Sequence, residues 1–311
     1  MSPTVTPALD QSGPGPTDYG VAAPGYRLPA ATRLGRVRLQ VADLERSIAW
    51  YGRVLGLEPL DQAAGRATLA APGDTAPLVE LHQRAGALPV PRRGRLGLYH
   101  FALLLPERAA LGRFVRHLAE IGERAGMSDH FVSEAIYLTD PDGLGIEVYA
   151  DRPRRAWRAE DRQLAMTTIA LDVENLLQAA GVGRWSGMPQ GTRLGHLHLF
   201  VDDLDRAAGF YHAGLGLDKI VWSYPGALFM SAGGYHHHLG TNTWAAGAVP
   251  AGPEDARLLE WEMVLPAPAD VEGALASLEG VGASVDRSGG GGVVRDPWGT
   301  ALRIRPEAGR G

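Results

Sequence analysis

The chain has 311 residues, 45% hydrophobic and 21% charged, with a formal net charge of −5 and no cysteine. That composition suits a soluble globular protein of one large or two ordinary domains. It excludes disulfides, thiolate metal sites and cysteine nucleophiles, and it argues against a nucleic-acid surface.

Residues 1–30 are rich in Pro, Gly, Ser and Thr and lack an apolar period, so a disordered tail is expected there. Beyond it the chain repeats at an offset of about 160 residues. GRVRLQVADLERSIAWYGRVLGL (35–57) aligns without a gap to GHLHLFVDDLDRAAGFYHAGLGL (195–217). YHFALLLPERAALGRFVRHL (99–118) answers to EWEMVLPAPADVEGALASL (260–278), and TDPDGLGIEVY (139–149) to RDPWGTALRIR (295–305). Two copies of one domain follow, 31–150 and 194–306, joined by a linker at 151–193.

Each copy divides again. An alternating strand leads through Asp-Leu into a helix, which in the first unit presents Leu44, Ile48, Tyr51, Val54 and Leu55 on one face and stops at Gly56. Short β-like runs follow. The prediction is an α+β fold of four β-α-β-β-β modules, roughly 34–86, 97–150, 194–246 and 258–306. The Gly run at 289–292 is a flexible turn with no helix after it, hence a poor phosphate site.

The pattern G-H-x-H-L-x-V-x-D-L…F-Y…L-G-L resembles the vicinal oxygen chelate superfamily, which includes glyoxalase I, bleomycin-binding proteins and type I extradiol dioxygenases. LYHFALLLP, SDHFVSEAIYLTDPDGLGIEVYADRPR and ALFMSAGGYHHHLGTNTW look like the two-domain bacterial catechol-2,3-dioxygenases. The resemblance covers about 34–306. His130, Ile136-Tyr137, Asp140 to Gly143 and Glu147 nearly reproduce the extradiol signature; Ser128 departs from it. The resemblance implies two tandem domains of this superfamily, whose paired modules curl into cup-shaped mixed sheets. A metal would be held by the first strand and the last strand of a module.

Those slots are unevenly filled. Module 1 offers Arg36 and Glu80, module 2 His100 and Glu147, module 3 His196 and the run His236-His237-His238, module 4 Glu260 and Arg303. The usual pairing, 1 with 2 and 3 with 4, would give His196, a His of the run (His237) and Glu260, with Arg303 in the carboxylate slot. Pairing 2 with 3 gives His100, Glu147 and His196 with no misplaced charge, and is favoured. Arg36 would then meet Glu260, and Glu80 would meet Arg303, in a vestigial second cup. His198, on the same face as His196, is an alternative ligand.

Two His and one carboxylate with open positions is a recipe for non-haem Fe(II), with Mn(II) as the alternative. The resemblance implies His237 as acid–base residue, His236 and His238 remaining open, with Tyr137 bonding a substrate oxygen and His130 near the substrate. His82, His117 and His212 are read as bystanders. The expected activity is extradiol cleavage of a small aromatic diol by O₂, in a cytoplasmic protein that binds neither nucleic acid nor membrane and is a possible homo-oligomer. The rivals are a glyoxalase- or isomerase-like lyase and a metal-free drug-binding protein.

Overall fold

The computed structural model describes residues 19–91 and 93–307. The fold is α+β, with four β-α-β-β-β modules building two curled mixed sheets. The repeated sequence motifs have local physical reasons. The Asp of each D-L caps the helix after it: Asp43 Oδ1 accepts from Arg46 N at 3.0 Å and Asp203 Oδ1 from Arg206 N at 2.8 Å. Each bond satisfies an N–H that the first helical turn leaves without a partner. The first helix, Leu44–Trp50, loosens into a π-helical turn, Tyr51–Leu55, and ends at Gly56 with φ +67°. A Cβ at Gly56 would lie 2.4 Å from Gly187 Cα, so glycine also lets the linker pass.

The D-P-x-G turns are held the same way. Asp140 Oδ1 accepts from Asp142 N and Leu144 N, both at 2.9 Å; Asp296 Oδ1 accepts from Trp298 N at 3.0 Å and Thr300 N at 2.7 Å. A Tyr from the preceding module closes each turn. Tyr51 OH donates to Asp140 Oδ2 at 3.3 Å and Tyr211 OH to Asp296 Oδ2 at 2.8 Å. Sequential modules are thereby stapled through side chains.

Backbone pairing, in contrast, crosses the halves. Gly97–Leu104 of module 2 runs antiparallel to Arg193–Phe200 of module 3. This makes a nine-stranded sheet from modules 2 and 3, with the linker strand Ile169–Ala170 on one edge. Arg33–Val41 runs antiparallel to Arg257–Leu265, making an eight-stranded sheet from modules 1 and 4. Strand alternation then sorts the side chains. Phe101, Leu103, Ile146, Val148, Leu197 and Leu199 enter the main core. Their neighbours His100, Ala102, Glu147, His196 and His198 turn to the opposite, inner face of the cup. Gly289 and Gly290, at φ +59° and +74°, make the tight turn expected between Val285–Ser288 and Gly291–Arg295.

One expectation changes. Of the 1–30 tail, residues 1–18 lie outside the described residues, but 19–30 are ordered. Val21 bridges Lys219 at the sheet edge, Arg27 pairs with Asp218, and Tyr19, Ala23 and Leu28 are buried. A few apolar side chains and a free sheet edge outweigh the polar composition. The 151–193 linker, read from its apolar, helical-looking second half as packing on the domains, places helix Val173–Ala179 against helix Arg108–Ile121. Among the described residues no helix is long and apolar enough to cross a membrane.

Burial pushes the Asp140 carboxyl up to about 7, against the pull of its two N–H donors. The folded chain therefore keeps a proton that the unfolded chain has lost. The corresponding stability is present below the ordinary carboxylate range near 4 and is lost as pH rises through about 7. Asp140→Asn keeps the Oδ1 acceptor without that loss. Its melting temperature relative to wild type is expected to rise between about pH 6 and pH 8.5. A pH-independent difference would refute the assignment.

Candidate metal centre

Sheet register builds the site. Across four adjacent strands, Tyr137 is opposite Glu147, Glu147 opposite Ala102, and Ala102 opposite His196. All four therefore share the inner face, and His100 stands two residues before Ala102 on that face. Ala102 is the small member of the row. The ligand atoms of Glu147, His196 and His100 lie within 4.8 Å of one another, and all three residues are buried. Glu147 Oε2 is 3.0 Å from both His196 Nε2 and His100 Nε2. Gly195 clears room behind His196, because a Cβ there would lie 1.7 Å from the Tyr149 hydroxyl.

The donor set fits a metal. Both ring nitrogens of His100 and Nδ1 of His196 are buried without a hydrogen-bond partner. His100 Nε2 is close to Glu147 but not in hydrogen-bond geometry, so proximity there is not satisfaction. Buried polar atoms left unpartnered are costly and uncommon, and a cation held among Glu147, His196 Nε2 and His100 Nε2 would give His100 Nε2 its partner. Burial lowers the pKa of His100 and of His196. Burial would raise the Glu147 carboxyl, but His196 and His100 hold it well below the usual range. Two neutral imidazoles and a carboxylate are the protonation states that ligation requires.

The centre faces a cavity of about 370 Å³, walled by Tyr99, Tyr137, Tyr224, Phe229 and Trp244, with His237 at its edge. His198 lines it too, but its Nε2 accepts from Asn242 Nδ2 at 3.0 Å and it stands outside the three-residue cluster. The His run divides three ways. His237 faces the cavity, His236 is buried behind it, and His238 lines a separate cavity on the far side. His130 Nδ1 donates to Thr167 O at 2.6 Å, which leaves Nε2 of the neutral ring to accept from Tyr137 OH at 2.6 Å. Thr167 belongs to the linker, and Met166 and Thr168 beside it complete this wall. Sequence reading missed them. The available signal was positional, since the segment connects the two modules that share the site.

Glu260 is not with His196. It sits in the other sheet, bonded to Arg303 at 2.9 and 3.1 Å. The expected partners in this second cup are exchanged: Arg36 pairs with Glu80 at 3.1 Å and Glu262 at 3.0 Å instead of Glu260, while Arg303 pairs with Glu260 instead of Glu80. Register shifts in Arg33–Val41 bring Arg38, not Arg36, opposite Glu260. His82 bonds Glu80, His117 the Arg53 carbonyl and His212 the Leu217 carbonyl, all away from the cavity.

Paired modules curled into cups, with His100 and His196 on first strands and Glu147 on a last strand, define a vicinal oxygen chelate protein. The chain belongs to the Glyoxalase/Bleomycin resistance protein/Dioxygenase superfamily, whose family model matches residues 33–148 and 193–304. It is 43% identical over 270 residues to the catechol-2,3-dioxygenase of Bacillus subtilis (strain 168), covering 86% of this chain and 94% of that protein. Among solved structures, one from Bacillus subtilis subsp. subtilis str. 168, provisionally described as a dioxygenase, superposes with a TM-score of 0.62 at 13% identity, over 91% of this chain and 86% of that one. Glyoxalase I from Zea mays gives 0.51 at 17% identity, over 88% and 92%. Both share the fold.

Because Ala102 separates Glu147 from His196, Ala102→Leu is expected to overpack the row by about 1–3 kcal/mol and to abolish stoichiometric metal binding. Elemental analysis of the folded variant checks this. Full occupancy would show that the row does not shape the site.

Proposed function

We propose that the protein is an extradiol ring-cleavage dioxygenase, inserting both atoms of O₂ beside the two hydroxyls of a catechol to give a 2-hydroxymuconic semialdehyde-type product. The observation that carries this reading is the convergence of His100, Glu147 and His196, with orphaned imidazole nitrogens, on a cavity sized and walled for one small aromatic ring. The similarity to a catechol-2,3-dioxygenase supports it. Two His and one carboxylate on one face suit Fe(II), and Mn(II) fits the same donors. Iron held there supplies the redox chemistry that couples an aromatic diol to O₂.

The chain's own residues bind the ring and move its protons. Tyr99, Phe229 and Trp244 flank the ring and exclude water. Burial, then His196 and His236, hold the pKa of His237 well below the usual imidazole value. His237 is thus neutral at physiological pH and accepts a proton from the bound diol, to be returned to the opening ring. Tyr137 is the second oxygen contact. Its proton is committed to His130, so its lone pairs accept from a substrate hydroxyl.

Protein purified without air should hold one iron per chain and consume O₂ with catechol. Zinc or nickel without O₂ uptake would instead indicate a glyoxalase-like lyase, and no metal a drug-binding protein. His100→Ala and Glu147→Ala are each expected to lose iron and activity. Either variant retaining both would sink the ligand assignment. His237→Phe should keep iron and slow turnover by about 10²–10⁴-fold. Loss of iron in that variant would make His237 a ligand instead.

A further inference from the structure

Behind His237 lies a hydrogen-bonded chain that the proposed reaction has not used. His237 Nδ1 and His236 Nδ1 are 2.7 Å apart. His236 Nε2 is 2.9 Å from Asp151 Oδ1. Asp151 in turn accepts from Tyr235 OH at 3.0 and 3.2 Å, and Tyr235 OH meets Tyr149 OH at 2.7 Å. The His236 side chain is fully buried and that of Asp151 17% exposed. Asp151 lines the far cavity, with Arg154, Arg193 and His238. The chain therefore runs along the inner face of the sheet, from the metal-side cavity to a second cavity beside Asp151.

Directionality follows from donor inventory. A carboxylate only accepts, so His236 must carry its hydrogen on Nε2. A neutral His236 then has its one N–H on Nε2, and its Nδ1 holds a lone pair. The 2.7 Å contact between the two Nδ1 atoms then needs a hydrogen from His237. His237 is left with Nδ1–H and a lone pair on Nε2, the nitrogen not bonded to His236. Without Asp151 the opposite arrangement, with the hydrogen on His237 Nε2, would satisfy the same contact.

The geometry points to Asp151 and His236 as a positioning dyad that fixes the tautomer of His237, so that its Nε2 is the proton acceptor for substrate. The kinetic consequence rests on the proposed dioxygenase reading; the tautomer does not. Asp151→Asn tests it, because the amide can donate to His236 Nε2. His236 then donates from Nδ1 to His237, and the lone pair of His237 Nε2 is replaced by a hydrogen.

Two measurements decide. In full-length protein loaded with diamagnetic Zn(II), ¹⁵N spectra of the histidines should show His236 protonated on Nε2 and His237 on Nδ1, and Asp151→Asn should reverse both. A wild-type His237 protonated on Nε2 overturns the dyad, whatever the activity. With Fe(II) and catechol, Asp151→Asn should retain iron and lower kcat by about 10²–10⁴-fold with KM changed less than about threefold. Asp151→Glu, which keeps a carboxylate, should recover at least about a tenth of the wild-type kcat. Iron-loaded Asp151→Asn with near-wild-type kcat also overturns the proposal. If Asp151→Asn does not fold, the wild-type spectrum and Asp151→Glu still decide it. A wild type that cleaves no catechol removes the proposed function and leaves the ¹⁵N measurement to judge the dyad.

Discussion

The antiparallel pairing of Gly97–Leu104 with Arg193–Phe200 is the contact on which the rest depends. It joins strands almost a hundred residues apart in sequence and closes the nine-stranded sheet. It also sets Ala102 against His196, and so brings the only imidazole of module 2's first strand beside those of module 3. Register is strongly specified there, because a slip of one residue would turn Phe101 and Leu103 toward the cup and the histidines into the apolar core.

The two cups resolve the same electrostatic problem differently. Each buries carboxylates: Glu147 in one, and Glu80, Glu260 and Glu262 in the other, with Glu80 at the position equivalent to Glu147. In the second cup, arginines from neighbouring strands neutralise them in a network of Arg36, Arg38, Arg303 and Arg305. Guanidinium is permanently charged and cannot ligate a metal. In the first cup the neighbours are imidazoles, which burial keeps neutral and which therefore retain lone pairs. A charged side chain satisfies the carboxylates of one cup; in the other, neutral imidazoles beside Glu147 keep lone pairs that fit a cation.

Tautomer control recurs around the cavity, always from groups of fixed polarity. The Thr167 carbonyl orients His130, which orients the Tyr137 hydroxyl. Asp151 orients His236, which contacts His237.

By itself the sequence determined what is local or periodic. The four modules were legible because strand alternation, the Asp-Leu caps and the D-P-x-G turns act through neighbouring residues, as Asp43 and Asp140 illustrate. The duplicated register also aligned the slots, so His100, Glu147 and His196 could be named together. Tertiary structure alone decided what depends on long-range packing. Which of three consecutive histidines faces the cavity is set where 236–238 leave regular strand geometry, so alternation cannot reach it. The partners of Arg36 and Arg303 depend on irregularities in the pairing of Arg33–Val41 with Arg257–Leu265, and bulges leave no periodic trace. Residues 19–30 order themselves because a sheet edge some 190 residues away offers them backbone partners. Asp151 gains its role only when the fold brings it beside His236, since hydrogen bonds between distant residues are written in geometry rather than in spacing.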